Sequence, residues 1–168
     1  MAAAYGPPTP TAALDRDWDA LYWAYRHLQG YEAWQTDGPM ITRYKPVLGP
    51  GVAERFEWCS GVTVRQVEEG RVVRESFRRH LAALLGSDGV LVLPTMPDIA
   101  PLLADSEESL DVYRNRALHL LCLAGMSGFP QMSMPLATRA GAPLGLSLLG
   151  PAGSDRSLVA MAQRIAAA

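Results

Sequence analysis

The chain has 168 residues, 49% of them hydrophobic and 19% charged, which is room for one domain or two very small ones and not the composition of a disordered tail. A net charge of -2 excludes a protein that wraps nucleic acid by neutralising its phosphates. Two cysteines, Cys59 and Cys122, make no disulfide framework and point to a reducing, cytoplasmic setting, while no apolar run reaches membrane-spanning length and the N-terminus lacks the pattern of a secretory signal.

Residues 1–13 are small residues and prolines, which predict an extended, poorly ordered lead-in ahead of a single domain over 14–168. A helix follows from Leu14 to about Thr36, with Asp15, Asp17 and Asp19 at its N-terminus and Asp37-Gly38-Pro39 as its stop. Ile41 to Gly51, rich in proline and glycine, reads as a surface loop. Further helices are predicted at about Val52–Cys59 and Val62–Leu85. The second of these alternates an apolar stripe (Val64, Val67, Val72, Phe77, Leu81, Leu84 and Leu85) with a charged face, so that 14–86 is the helical portion of the domain.

From Gly89 onward the pattern changes to strand, helix, strand, strand, helix. Val90–Leu93 is a short apolar run bounded by Gly89 and Pro94, which fits a strand covered on both faces. Pro94–Pro101, with three prolines, is a loop at that strand's C-terminal end. Ser109–Ala124 is helical, with a break at Gly125–Gly128. Gln131–Leu136 and Leu144–Leu149 are strands joined by a turn near Ala140–Pro143, and Ser154 or Asp155 caps a last helix through Ala166. Interleaved helices and strands give an α/β or α+β class. The strands are short, apolar and without charged gatekeepers, as central strands are. Three of them are few for so many helices, which marks the chain as part of a larger fold.

No catalytic constellation emerges from the residues themselves. No serine sits in a G-x-S-x-G elbow, and His80 belongs to a charged helix face. His119 and Cys122 share a helix face among leucines and read as a core histidine beside an inert thiol. Metal-ligand spacings and phosphate-binding glycine motifs are absent, so neither a metal nor a cofactor is expected. Arg71, Arg74, Arg78 and Arg79 are interleaved with Glu68, Glu69 and Glu75 as a solvated, salt-bridged surface. Glu107-Glu108 complements a helix N-terminus.

Three stretches in order are more specific: GVLVLPTMPDIAP (89–101), YRNRALHLLCLAGMSGFPQMSMPL (113–136) and GAPLGLSLLGPAGSDRSLVAMAQRIA (141–166). Their order and spacing resemble the C-terminal part of the amidase signature family, which includes aliphatic and aryl amidases and the A subunit of the glutamyl-tRNA amidotransferase. WDALYWAYRHLQGYEAW (18–34) and GPGVAERF (49–56) resemble the helical region preceding it in bacterial members. The resemblance implies the C-terminal portion of the amidase signature fold, a few central sheet strands with flanking helices. It also implies an amide hydrolase acting on small-molecule amides when complete.

The family's serine nucleophile, its second serine held by a cis peptide and its lysine base belong to an N-terminal half that this sequence does not match. No two serines are adjacent here, and the single lysine, Lys45, lies between Tyr44 and Pro46 in a predicted loop, where it is not read as a base. No catalytic residue is therefore assigned. The resemblance makes the chain either a C-terminal fragment, inactive alone, or a non-enzymatic chain that docks onto a separate N-terminal half, with neither a nucleic acid nor a membrane as partner. Thr95, Met96, Phe129 and Gln131, at strand ends predicted to face one sheet edge, are the expected substrate-binding wall. Uncovered strands predict self-association through sheet edges or dependence on an N-terminal partner chain.

Overall fold

The computed structural model describes residues 17–49 and 51–167. The lead-in expected over 1–13 and the expected helix start at Leu14 lie outside them. Helix α1 (Trp18–Tyr44) starts where Asp17 accepts a hydrogen bond from the Ala20 amide at 2.9 Å. It does not stop at Asp37-Gly38-Pro39 but runs through Pro39. Trp34 supplies the reason. Its indole covers Gly38 so closely that a Cβ there would meet ring atoms at 2.7 Å, and this cover supports the turn from which Pro39 withdraws an N–H. The helix ends instead at Lys45, whose left-handed backbone (φ 46°) lets its amide donate to the Ile41 carbonyl.

Helices α2 (Val52–Ser60) and α3 (Val64–Leu85) form where the sequence places them. A reciprocal capping box opens α3: Thr63 Oγ1 accepts from the Gln66 amide and Gln66 Oε1 accepts from the Thr63 amide. Val67, Phe77, Leu81 and Leu85 then turn one face of α3 inward, whereas Val64, Val72 and Leu84 of the expected stripe lie off that face and are exposed.

After strand β1 (Leu91–Pro94) comes α4 (Glu107–Ser127), with Ser106 as N-cap and Glu107 and Glu108 in its first turn. The predicted break at Gly125 does not occur. Tyr25 of α1 packs against that residue, where a Cβ would lie 2.9 Å from the ring, so Gly125 serves helix packing and the helix ends at Gly128 in the left-handed region (φ 69°).

Strands β2 (Gln131–Arg139) and β3 (Ala142–Leu149) form a hairpin whose two-residue turn, Ala140-Gly141, has positive φ at both positions, as a tight hairpin turn requires. The register shifts between Met134 and Ala137, around Pro135. β1 and β2 both pair antiparallel with β3, giving the order β1-β3-β2. Only β3 has neighbours on both sides. Among the described residues β1 and β2 are terminal in this sheet, Val92 is 43% exposed, and Pro94 removes a donor from its strand, so their outer edges carry no paired strand.

Alternation along the strands divides the sheet's cover. Leu93 and Leu149 join Leu81, Leu85, Leu123, Met126 and Phe129 in a core with the helices. Met134 and Leu148 point the other way, against Leu158 and Ala162 of α5 (Asp155–Ala166). Ser154 precedes α5 but makes no capping bond. Its backbone is not extended (φ -83°, ψ 13°), and its hydroxyl lies against Gly150, buried without a partner. The architecture is α/β, with helices flanking a small antiparallel sheet.

Candidate functional site

The sheet face that packs on the helices turns polar along its length. Ser147, in the middle of β3, stands opposite Leu93 of β1 and Ser133 of β2. Directly opposed residues share a face, and so do residues two apart on a strand, which brings Thr95, just past β1, and Gln131 to the same side. Ser147 is completely buried. Its hydroxyl lies 2.8 Å from Thr95 Oγ1 and 3.0 Å from Ser133 Oγ, and it accepts from Gln131 Nε2 at 3.0 Å.

The backbone continues β1's pairing for one more residue, the Thr95 amide donating to the Gly145 carbonyl at 2.9 Å. Gly145 is required there: a Cβ would sit 2.6 Å from Thr95 Oγ1. The following loop is pinned by Asp98, whose carboxylate accepts from Arg139 at 2.6 Å and whose carbonyl accepts from Tyr113 Oη at 3.2 Å.

The four expected wall residues are not placed alike. Thr95 and Gln131 meet at Ser147, Met96 is half-buried in the loop after β1, and Phe129 is buried in the helical core. Nor do the two segments leave one edge of the sheet. Pro94 pairs with Leu146 in the middle of β3 and Gln131 with Leu149 at its end, so the loop after β1 and the turn before β2 leave the strand three residues apart. The reason is direction: β1 and β2 flank β3 running the same way, so the end of one lies a strand length from the start of the other. Sequence reasoning missed Ser133 and Ser147. The available signal was a single polar residue within each apolar run, and only the register shows that the two are opposed.

Elsewhere the titratable groups make no catalytic arrangement among the described residues. Cys122 is fully buried, and its thiol, pushed up to about 12 by burial, donates to the His119 carbonyl rather than to the imidazole. His119 is not a core residue. It lies between α4 and α1, stacked on Tyr22 with ring centroids 4.4 Å apart, Nδ1 on the Asn115 carbonyl and Nε2 3.4 Å from Asp19. Lys45 is exposed at the end of α1. Burial holds His27 below the ordinary imidazole range, with Glu69 opposing and Arg26 adding to the effect. On α3, Arg65 pairs with Glu69, Arg71 with Glu68 and Arg79 with Glu75, all exposed. No group of three or more His, Cys, Asp or Glu among the described residues could hold a metal. No helix among them is long and apolar enough to cross a membrane.

The family described as Amidase matches residues 48–159. Amidase 1 of Arabidopsis thaliana is 37% identical over 148 residues, which cover 88% of this chain and 35% of that protein. The A subunit of the glutamyl-tRNA(Gln) amidotransferase of Methanothermobacter thermautotrophicus is 26% identical over 129 residues, 74% of this chain and 28% of that one. A solved structure described as an amidase superposes with a TM-score of 0.78 at 23% identity, over 89% of this chain and 36% of that chain, which supports the fold. The chain thus spans about a third of the length of the proteins it matches.

Proposed function

From the premise that the chain belongs to the amidase family, we propose that it forms the C-terminal part of an amide hydrolase and has no hydrolytic activity by itself. The match over residues 48–159 carries this reading, because it takes in the whole sheet and the helices α2, α3 and α4. Amide hydrolysis by acyl transfer needs an activated nucleophile. Among the described residues Lys45, the only lysine, is exposed, and its side chain has no serine partner. What the chain contributes is a wall of the substrate pocket, in which Thr95 and Gln131, joined through Ser147, face the amide, with Met96 beside them and Phe129 anchoring the turn from the core. The free thiols Cys59 and Cys122 support a reducing cytoplasmic setting.

The test is an assay of benzamide and aliphatic amide hydrolysis by the purified chain, alone and mixed with the N-terminal portion of a related amidase. The chain alone is expected to give no turnover and the mixture to give some. Turnover by the chain alone, abolished by Lys45→Ala, would overturn the inactive reading. Turnover in neither case would overturn the amidase reading. A second reading, a non-enzymatic chain docking onto a separate amidase N-terminal half, is favoured by Leu102 and Leu103, which stand 70% and 108% exposed in the loop after β1.

A further inference from the structure

Along one side of α3, Val67, Arg71, Arg74, Arg78, Leu81 and Leu85 follow one another at alternating steps of four and three residues. Val67, Leu81 and Leu85 are buried, yet the three arginines between them are exposed. They have room because α3 and the end of α4 leave a cavity of about 440 Å³, which the arginines line with Glu75, Ser127 and Gly128. Arg71 and Arg74 also border a further cavity of about 280 Å³ that runs onto α1, where Leu28, Tyr31 and Val67 line it. The carboxylates of α3 do not neutralise this stripe. Glu68 pairs with Arg71, Glu69 with Arg65 and Glu75 with Arg79, so Arg74 and Arg78 have no ion pair among the described residues. Nor does the end of α4 hold them. Its dipole favours cations, but the Ser127 hydroxyl is engaged by the Leu123 carbonyl and the Phe129 amide, and neither guanidinium bonds a carbonyl there. Two like charges four residues apart on a helix repel, and nothing in the fold offsets that.

We propose that this groove binds the anion of a monocarboxylic acid with an apolar body, its carboxylate on Arg74 and Arg78 and its chain along Leu28, Tyr31 and Val67. A guanidinium fork matches a carboxylate with paired N–H donors, and a carboxylate between two arginines removes their repulsion. The apolar lining lies at one end only, so the body has one direction to run. Glu32 borders that end without an ion pair among the described residues, which disfavours a second carboxylate there. Thr95, Gln131 and Ser147 do not line the groove, and the inference does not rest on the amidase reading.

The test is equilibrium dialysis of radiolabelled octanoate against the purified chain at low salt, a measurement that self-association does not prevent. Saturable binding at a single site is expected. Acetate, which lacks the body, and octanol, which lacks the charge, should each compete about tenfold less well than unlabelled octanoate. Suberate, with a carboxylate at both ends, should also compete less well. Arg74→Gln and Arg78→Gln should each weaken binding about tenfold. Arg65→Gln removes the same charge from the opposite side of α3, where Arg65 is 87% exposed, and should leave binding unchanged. Binding that does not saturate, octanol or suberate competing as well as octanoate, or an equal loss in Arg65→Gln and Arg74→Gln would overturn the proposal. Dialysis needs no turnover, so its failure leaves the amidase reading standing, and absence of hydrolysis leaves this site standing.

Discussion

One face of the sheet does two different things along the same three strands. Where β1 meets β3, Leu93 and Leu149 are sealed under Leu81, Leu85 and Met126, the dry end of the face. The same alternation of side chains carries Thr95 just past β1, Ser147 and Ser133 level with Leu93, and Gln131 opposite Leu149 with its unpartnered amide oxygen. Apolar burial in the first region favours folding, whereas the second holds buried polar groups whose desolvation is offset by hydrogen bonds among themselves, save at Gln131 Oε1. The two kinds of contact thus lie side by side on one face of the sheet rather than in separate domains.

The comparison breaks first at Leu81, which is fully buried between the helices and the dry end. Leu81→Ala should cost about 2–5 kcal/mol in a denaturant melt. A loss under about 1 kcal/mol would show that the dry end does not hold the fold. At the polar end, Gly145→Ala forces a Cβ to 2.6 Å from Thr95 Oγ1 and should cost about 1–3 kcal/mol by overpacking while disturbing the hydroxyl row. An unchanged melting midpoint would deny the close approach.

Thiol chemistry sharpens the contrast without a stability figure. Cys122, at the dry end and pushed up to about 12, should resist iodoacetamide until the chain unfolds, whereas half-buried Cys59, raised by burial but less enclosed, reacts first. Two thiols modified at equal rates in the native chain would contradict this. The smallest effect is expected at His27, which rests between Trp23 and Trp58 and accepts from Gln66 Nε2 at 3.3 Å as a neutral ring. Its folded value is depressed, chiefly by burial, so its contribution is present above the ordinary imidazole range and is lost as pH falls through that range to the folded value. His27→Gln should flatten the decline of the urea midpoint between neutral pH and about pH 5. A steeper decline would reverse the assigned sign.

Much of the dry end was legible in the sequence. Val67, Phe77, Leu81 and Leu85 of the expected stripe do form one buried helix face, though Val64, Val72 and Leu84 do not join it, and the apolar runs at Leu91 and Leu146 mark strands in nearly their observed places. Local turn chemistry misled wherever a distant or neighbouring ring overrode it, as Trp34 does at Gly38 and Tyr25 at Gly125. The polar end was legible only in part. Thr95 and Gln131 stand out as strand-end residues, but their meeting at Ser147 depends on a register that no local pattern encodes. The parallel course of β1 and β2 on either side of β3 likewise escaped a reading that placed both loops at one edge.

The claim that this chain is one part of a larger amide-hydrolysing fold is tested most directly by light scattering coupled to size exclusion, with and without the N-terminal portion of a related amidase. Val92, Leu102, Leu103 and Leu136 are exposed along the sheet and the loop beside it. The chain alone is expected to elute above its monomer mass or to aggregate, and to pass into a one-to-one complex when that portion is added. A soluble monomer with a single cooperative transition, unchanged in mass by the added portion, would contradict the account.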